Sequence, residues 1–191
     1  VVITSPRSPL VPRWRDLDKT GRLRAAVQAC GRQHGWVFSL NLSIGREGGT
    51  LYNKDPKRNL EKRLNAALNK HGLRGLPVAF VIEAERVTGR VHLHGVLVPG
   101  AHSKKVIERA LAEAGGKLKG QQRTRQCKIE PFRDPGPDGW HRYITEDLRF
   151  TSRHVDGDLI YISQPLIRLR SSFYEEVIRG GAAANTTSGM P

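Results

Sequence analysis

His92 and His94 stand two residues apart in VHLHGVLV. Side chains alternate along a strand, so both imidazoles emerge on one face and Leu93 on the other. Two adjacent imidazoles offer a divalent metal two nitrogen ligands. A lone His-x-His is a weak signal, because two strand histidines can fall there by chance. The preceding segment strengthens it. VAFVIEAE at 78–85 carries Glu83 and Glu85, which share a parity. In an antiparallel hairpin one residue of that segment faces His92. A turn at 87–88 makes it Glu83, and a turn at 88–89 makes it Glu85. Either register sets a carboxylate beside two imidazoles. Such a set, with positions open for water and phosphate oxygens, suits Mn²⁺ or Mg²⁺ in phosphodiester chemistry. Zinc stays open, and the competing reading is a salt-bridged surface hairpin. Gly95 lets backbone or ligand approach closely.

Phosphodiester chemistry also needs a nucleophile. Tyr143 lies in PDGWHRYITEDL. Trp140, Ile144 and Leu148, four apart, anchor that helix, and Tyr143 falls beside Glu146 and Asp147 on a more polar face. A free phenol has a pKa near ~10 and must be activated, by a metal or by Arg142 or His141. Otherwise Tyr143 reads as an ordinary half-buried tyrosine. Tyr161, on a strand, and Tyr174, on a terminal helix, are weaker candidates.

The elements that must position these groups follow from periodicity. Leu23, Val27 and Cys30 predict a helix over 18–33, and WVFSLNLS, bounded by Gly35 and Gly45, a strand over 36–43. Leu60, Leu64, Ala67 and Leu68 predict a helix over 56–71 with Pro56 in its first turn. Strands at 78–85 and 91–98 flank a Thr88-Gly89 turn. A helix capped by Ser103 ends at Gly115-Gly116. A strand over 124–132 follows, then a helix over 138–148 capped by Asp138, a short strand at 158–163 and a helix over 165–179. The middle of this order is βαββαβ. The expectation is an α+β fold with a ferredoxin-like or RRM-like core. Its antiparallel sheet has about five strands, with helices packed mainly on one face and the site on the other. Residues 1–15 read as an irregular arm, 16–180 as one compact domain and 181–191 as a flexible tail.

The chain has 191 residues and a net charge of +14, which favours a polyanionic partner. Lys54, Lys57, Arg58, Lys62 and Arg63 form one basic cluster, and Lys117, Lys119, Arg123, Arg125 and Lys128 another. They read as phosphate contacts, although any one alone reads as a solvated charge. Trp14, Trp36 and Phe38 are candidates to stack on bases, and Trp36 and Phe38 equally for the core. Cys30 and Cys127 match no zinc spacing and read as reduced thiols of a cytoplasmic protein. No apolar run approaches membrane-spanning length, and the Pro- and Arg-broken start does not read as a secretory signal.

Three segments together resemble the HUH endonucleases, and within them the rolling-circle replication initiators. FSLNLS at 38–43 is similar to the first motif. HLHG at 92–95, preceded by FVIEAE, is similar to the metal-binding second motif. WHRYITEDL at 140–148 is similar to the third, which carries the nucleophile. The span covers about residues 36–162. The tyrosine follows the histidines, which argues against the relaxase branch. The resemblance implies a metal held by Glu83, His92 and His94, Glu83 being preferred because it directly follows FVI. It implies nicking and rejoining of single-stranded or origin-hairpin DNA through a 5′-phosphotyrosine at Tyr143, with a free 3′-hydroxyl for a host polymerase. Glu146 stands where the family often has a lysine, which makes Glu146 and Asp147 candidate extra ligands. No G-x-x-x-x-G-K-[ST] is present, so unwinding falls to a separate helicase or to a region outside this sequence. The alternatives are a non-catalytic RRM-like binding module and a metal nuclease that uses water.

Overall fold

The structure is a computed structural model that describes residues 12–116, 118, 125–133 and 136–174. The chain runs α1 (Lys19–Arg32), β1 (Trp36–Asn41), α2 (Ile44–Leu51), α3 (Pro56–Lys70), β2 (Val78–Ala84), β3 (Val91–Leu97), α4 (Lys104–Gly115). It continues with β4 (Cys127–Pro131), α5 (Gly136–Thr145), α6 (Leu148–Thr151), β5 (Ile160–Ile162) and α7 (Gln164–Phe173). The five strands form one sheet in the order β4-β1-β3-β2-β5, every pairing antiparallel. The first four strands carry the order of the ferredoxin-like core expected from βαββαβ, and β5 extends it beside β2.

Period-two alternation divides each strand between two apolar layers. Phe38, Leu40, Phe80, Ile82, Leu93, Leu97 and Ile129 face the layer filled by Leu60, Leu64 and Leu68 of α3 and Ile107 and Leu111 of α4. Val37, Ala79, Val81 and Val96 face a second layer filled by Leu23, Val27 and Cys30 of α1, Ile144 of α5 and Leu166 of α7. Helices therefore cover both faces, and the expectation of a mainly one-sided helix layer is corrected. The reason is that α1, α5 and α7 also carry apolar stripes, each of which must be buried against something. The site occupies the part of the second face that those helices leave open.

Local chemistry sets the element ends. The Asp18 carboxylate accepts from Gly21 N at 2.6 Å and starts α1, and Asp55 accepts from Arg58 N at 3.0 Å and starts α3 behind Pro56. Ser103 occupies the cap position of α4 but makes no side-chain cap bond. The helix expected over 138–148 is two helices. Asp138 lies inside the first turn of α5, where its Oδ1 accepts from Arg24 Nε at 3.1 Å and Gln28 Nε2 at 3.2 Å. The carboxylate serves helix-to-helix contact and not the expected cap.

One helix was not anticipated. Residues 44–51 hold Gly45, Gly48 and Gly49, each poor in a helix. A tertiary bond and burial hold α2 instead: Glu47 Oε1 accepts from Val91 N at 2.7 Å, and Thr50 is buried on the inner side of the helix. The strand expected over 124–132 is shorter, at Cys127–Pro131. Of the N-terminal arm, Trp14–Asp16 form a turn of 3₁₀ helix. Trp14 lies under the Arg170 guanidinium at 3.9 Å, and Tyr174 Oη donates to Pro12 O at 2.8 Å. Residues 1–11, the tail at 181–191 and the end of the expected last helix lie outside the described residues. Both cysteines are free, and burial pushes the Cys30 thiol far up and Cys127 up to about 12. Among the described residues no helix is long and apolar enough to cross a membrane.

Candidate metal centre and nucleophile

The hairpin register decides between the two glutamates. Ala84 pairs with Val91 and Glu83 with His92, while Glu85 N donates to Arg90 O at 2.9 Å. Residues 86–89 form the loop, with Gly89 at φ 68°, a conformation few side chains tolerate. Glu83 is thus the carboxylate opposite the histidines. Glu85 lies at the loop, where its carboxylate accepts from the Thr88 hydroxyl.

Glu83, His92 and His94 form a group whose ligand atoms lie within 4.8 Å of one another. Glu83 Oε1 is 3.4 Å from His92 Nε2, and Oε2 is 3.5 Å from His94 Nε2. The two rings are edge to face, 4.7 Å between centroids. His94 is 4 % exposed, and its Nε2 is buried without a hydrogen-bond partner. A buried lone pair left unpaired is costly, and a metal ion at that nitrogen removes the cost. On the far side of the ring Nδ1 lies 2.8 Å from Ser39 Oγ. With Nε2 turned to a metal, Nδ1–H donates to that hydroxyl and fixes the tautomer. Burial, then the neighbouring His92, push the His94 imidazole down to about 4, against the pull of Glu83. His94 is therefore neutral near pH 7, the state a metal ligand requires.

The sheet register places the neighbours. Asn41, His92 and Glu83 form one row across β1, β3 and β2; Lys128, Ser39, His94 and Val81 form the next across β4, β1, β3 and β2. Gly95 points the other way. A Cβ there would overlap the Phe38 ring and the Ala79 carbonyl oxygen. The glycine serves the core and not an approaching ligand.

Tyr143 reaches this face from α5. Its ring is 5.1 Å from that of His94 at 71°, and the Trp140 ring is 5.9 Å from His94. Ile144 is fully buried behind it and Trp140 and Leu148 half-buried, which are the anchors expected of that helix. Gly31 of α1 lets α5 come this close, since a Cβ there would overlap the Pro137 ring. Tyr143 is 48 % exposed and so open to solvent. Partial burial, then the Glu83, Glu146 and Asp147 carboxylates, raise its phenol above the ordinary value. A bound dication would reverse that local field. Asp147 is engaged elsewhere. Arg86 Nε donates to its Oδ1 at 2.7 Å, and Arg86 Nη2 donates to the same oxygen. Glu146 is exposed and, with Asp147, lies outside the Glu83–His92–His94 group.

The basic residues divide. Lys57 and Arg58 lie on α3, in the layer across the sheet from the site, with Lys54 just before it. Lys57 is committed to Asp158 at 2.6 Å, which Lys19 also reaches at 3.0 Å. Lys128 stands in the His94 row and pairs with Glu130 at 3.0 Å. Arg125 is exposed two residues before β4, its carbonyl accepting from Asn41 Nδ2 at 2.8 Å. Arg123 lies outside the described residues. Trp36 packs on the first layer and Phe38 is buried in it, so both are core.

Three residues near the site were not singled out in the sequence. Ser39 and Asn41 lie in FSLNLS with the parity that faces the histidines. Arg90, two before His92, shares the His92 parity and lines a polar recess of about 140 Å³ with Asn41, Glu85, Val91 and His92. No family model matches the chain, and neither a curated protein nor a solved structure does so.

Proposed function

We propose that this protein nicks and rejoins single-stranded DNA through a phosphotyrosine intermediate. The observation that carries the reading is the Tyr143 ring 5.1 Å from that of His94, beside the Glu83–His92–His94 group. Mn²⁺ or Mg²⁺ suits two imidazoles and a carboxylate, and when bound it supplies positive charge to a scissile phosphate. Tyr143 Oη loses its proton and attacks phosphorus in line. The Oη–P bond forms, the P–O3′ bond breaks, and the departing 3′-oxygen takes up a proton. The DNA keeps a 3′-hydroxyl that can prime synthesis, and its 5′-phosphate is held on Tyr143. The reverse attack rejoins the strand without an external energy source. Lys128 and Arg125, at the β4 edge, and Arg90, at the recess, offer cations to the phosphate backbone.

The test is incubation of the protein with end-labelled single-stranded and hairpin DNA and Mn²⁺, followed by a denaturing gel. A covalent adduct that is absent in Tyr143→Phe and His92→Ala is the expected result. Cleavage without an adduct assigns a hydrolase that uses water. DNA binding without cleavage assigns a binding module.

A further inference from the structure

A second cavity, of about 220 Å³, opens beside Tyr143. Its lining includes Val37 of β1, Phe132 just past β4, and Trp140 and Tyr143 of α5, with Glu130 and Arg133 also contributing. The two charged residues pair at 2.8 Å, so this end is polar and close to neutral. The volume falls below the roughly 300–1,000 Å³ of sites for drug-sized ligands, and suits one planar ring system. Trp140 and Tyr143 are 5.2 Å apart at 34°, an aromatic surface that continues into the His94 contact. A ring bound here would lie next to the nucleophile.

We infer that this cavity takes a single unstacked nucleobase, that of the nucleotide which stays attached to Tyr143 after the cut. The inference rests on the nicking reading above. An aromatic and aliphatic lining with a polar edge is the chemistry that receives a base taken out of its stack. A purely hydrocarbon ligand would leave the Glu130 and Arg133 edge unused. A net charge of +14 brings in the anionic backbone that carries such a base. In-line attack settles which base it is. The departing 3′-oxygen lies on the far side of phosphorus from Tyr143, so the leaving nucleotide points away from the cavity. The retained nucleotide, attached through an equatorial oxygen, stays bonded to the phosphate on Tyr143, and its base has the cavity within reach. Phe132 is then a specificity-determining residue that touches the base and not the reacting atoms.

The experiment uses the full chain with Mg²⁺ and follows the Trp140 indole N–H resonance, assigned by its loss in Trp140→Phe. The probes are the four deoxynucleoside 5′-monophosphates, their 3′-isomers and deoxyribose 5-phosphate. A 5′-monophosphate presents the retained side of the cut, and a 3′-monophosphate the leaving side. At least one 5′-monophosphate is expected to shift the resonance and to bind on the order of tenfold tighter than deoxyribose 5-phosphate. It is also expected to bind tighter than its 3′-isomer and to lose about that tenfold in Phe132→Ala. Equal binding of the sugar phosphate, preference for the 3′-isomer, an unchanged affinity in Phe132→Ala, or no shift with any nucleotide overturns the inference. None of these readouts needs cleavage. The base pocket can therefore fail while the covalent adduct forms, or stand while it does not.

Discussion

Ser39 Oγ and His94 Nδ1 lie 2.8 Å apart, in residues that pair directly across β1 and β3. This bond turns the other ring nitrogen toward Glu83. Removing it leaves the imidazole free to choose its tautomer and its orientation. Ser39→Ala is expected to weaken Mn²⁺ binding about tenfold, the lower end for loss of a partner behind a ligand. Calorimetric titration checks it, with circular dichroism showing an unchanged fold.

A metal that binds only the folded chain adds to its stability. Glu83 and His92 come together only when β2 pairs with β3, so the unfolded chain has no such site. At a free Mn²⁺ concentration 100 times its Kd, the gain is about 2.7 kcal/mol. Thermal melts should rise with Mn²⁺ and return to the starting value with a chelator. The double variant His92→Ala/His94→Ala should show no such rise.

The approach of α5 to α1 at Gly31 gives a separate prediction. Gly31→Ala adds a methyl group where the Pro137 ring already lies. The helix gains in propensity, but α5 must move away and Tyr143 with it. Misplacing a reacting group by an ångström costs up to about 100-fold. Adduct formation should fall by about 10- to 100-fold, while Mn²⁺ affinity stays within about twofold because the ligands sit on the sheet.

Asp158 ties α1 to α3 through Lys19 and Lys57. Burial pushes its carboxyl up, but the hydrogen bonds from Lys57 and Lys19 outweigh this and hold it below the ordinary value. A depressed carboxylate contributes stability above its unfolded pKa, near ~3.9, and loses it as pH falls through the folded value. Asp158→Asn should cost about 1 kcal/mol near pH 7. The difference from the wild type should close at acid pH, as urea melts across that range would show.

Much of this arrangement was legible in the residues. His92 and His94 share a parity, and the sheet places them on one face. Glu83 and Glu85 share one too, and only the loop at 86–89 decides between them. Tyr143 was placed by the anchors Trp140 and Ile144, both of which pack behind it. What escaped depends on long-range packing. Helix α2 forms with Glu47 bonded to Val91 of β3 despite three glycines, so local propensity misleads there. Asp138 reads as a cap because its partners, Arg24 and Gln28, are more than a hundred residues away. Lys57 reads as a phosphate contact because its partner Asp158 is equally remote. Ser39 was visible in FSLNLS but has no chemistry of its own until His94 lies across from it.

The sheet is a wall shared by two separate apolar layers. The backs of the strands that carry Glu83, His92 and His94 rest on one, and the helix that carries Tyr143 rests on the other. Changes in α1, α5 or α7 can therefore shift Tyr143 without disturbing Glu83, His92 and His94, and changes in α3 or α4 can alter robustness without moving Tyr143. An architecture divided in this way can change the surroundings of Tyr143 in small heritable steps, with the Glu83–His92–His94 group held constant.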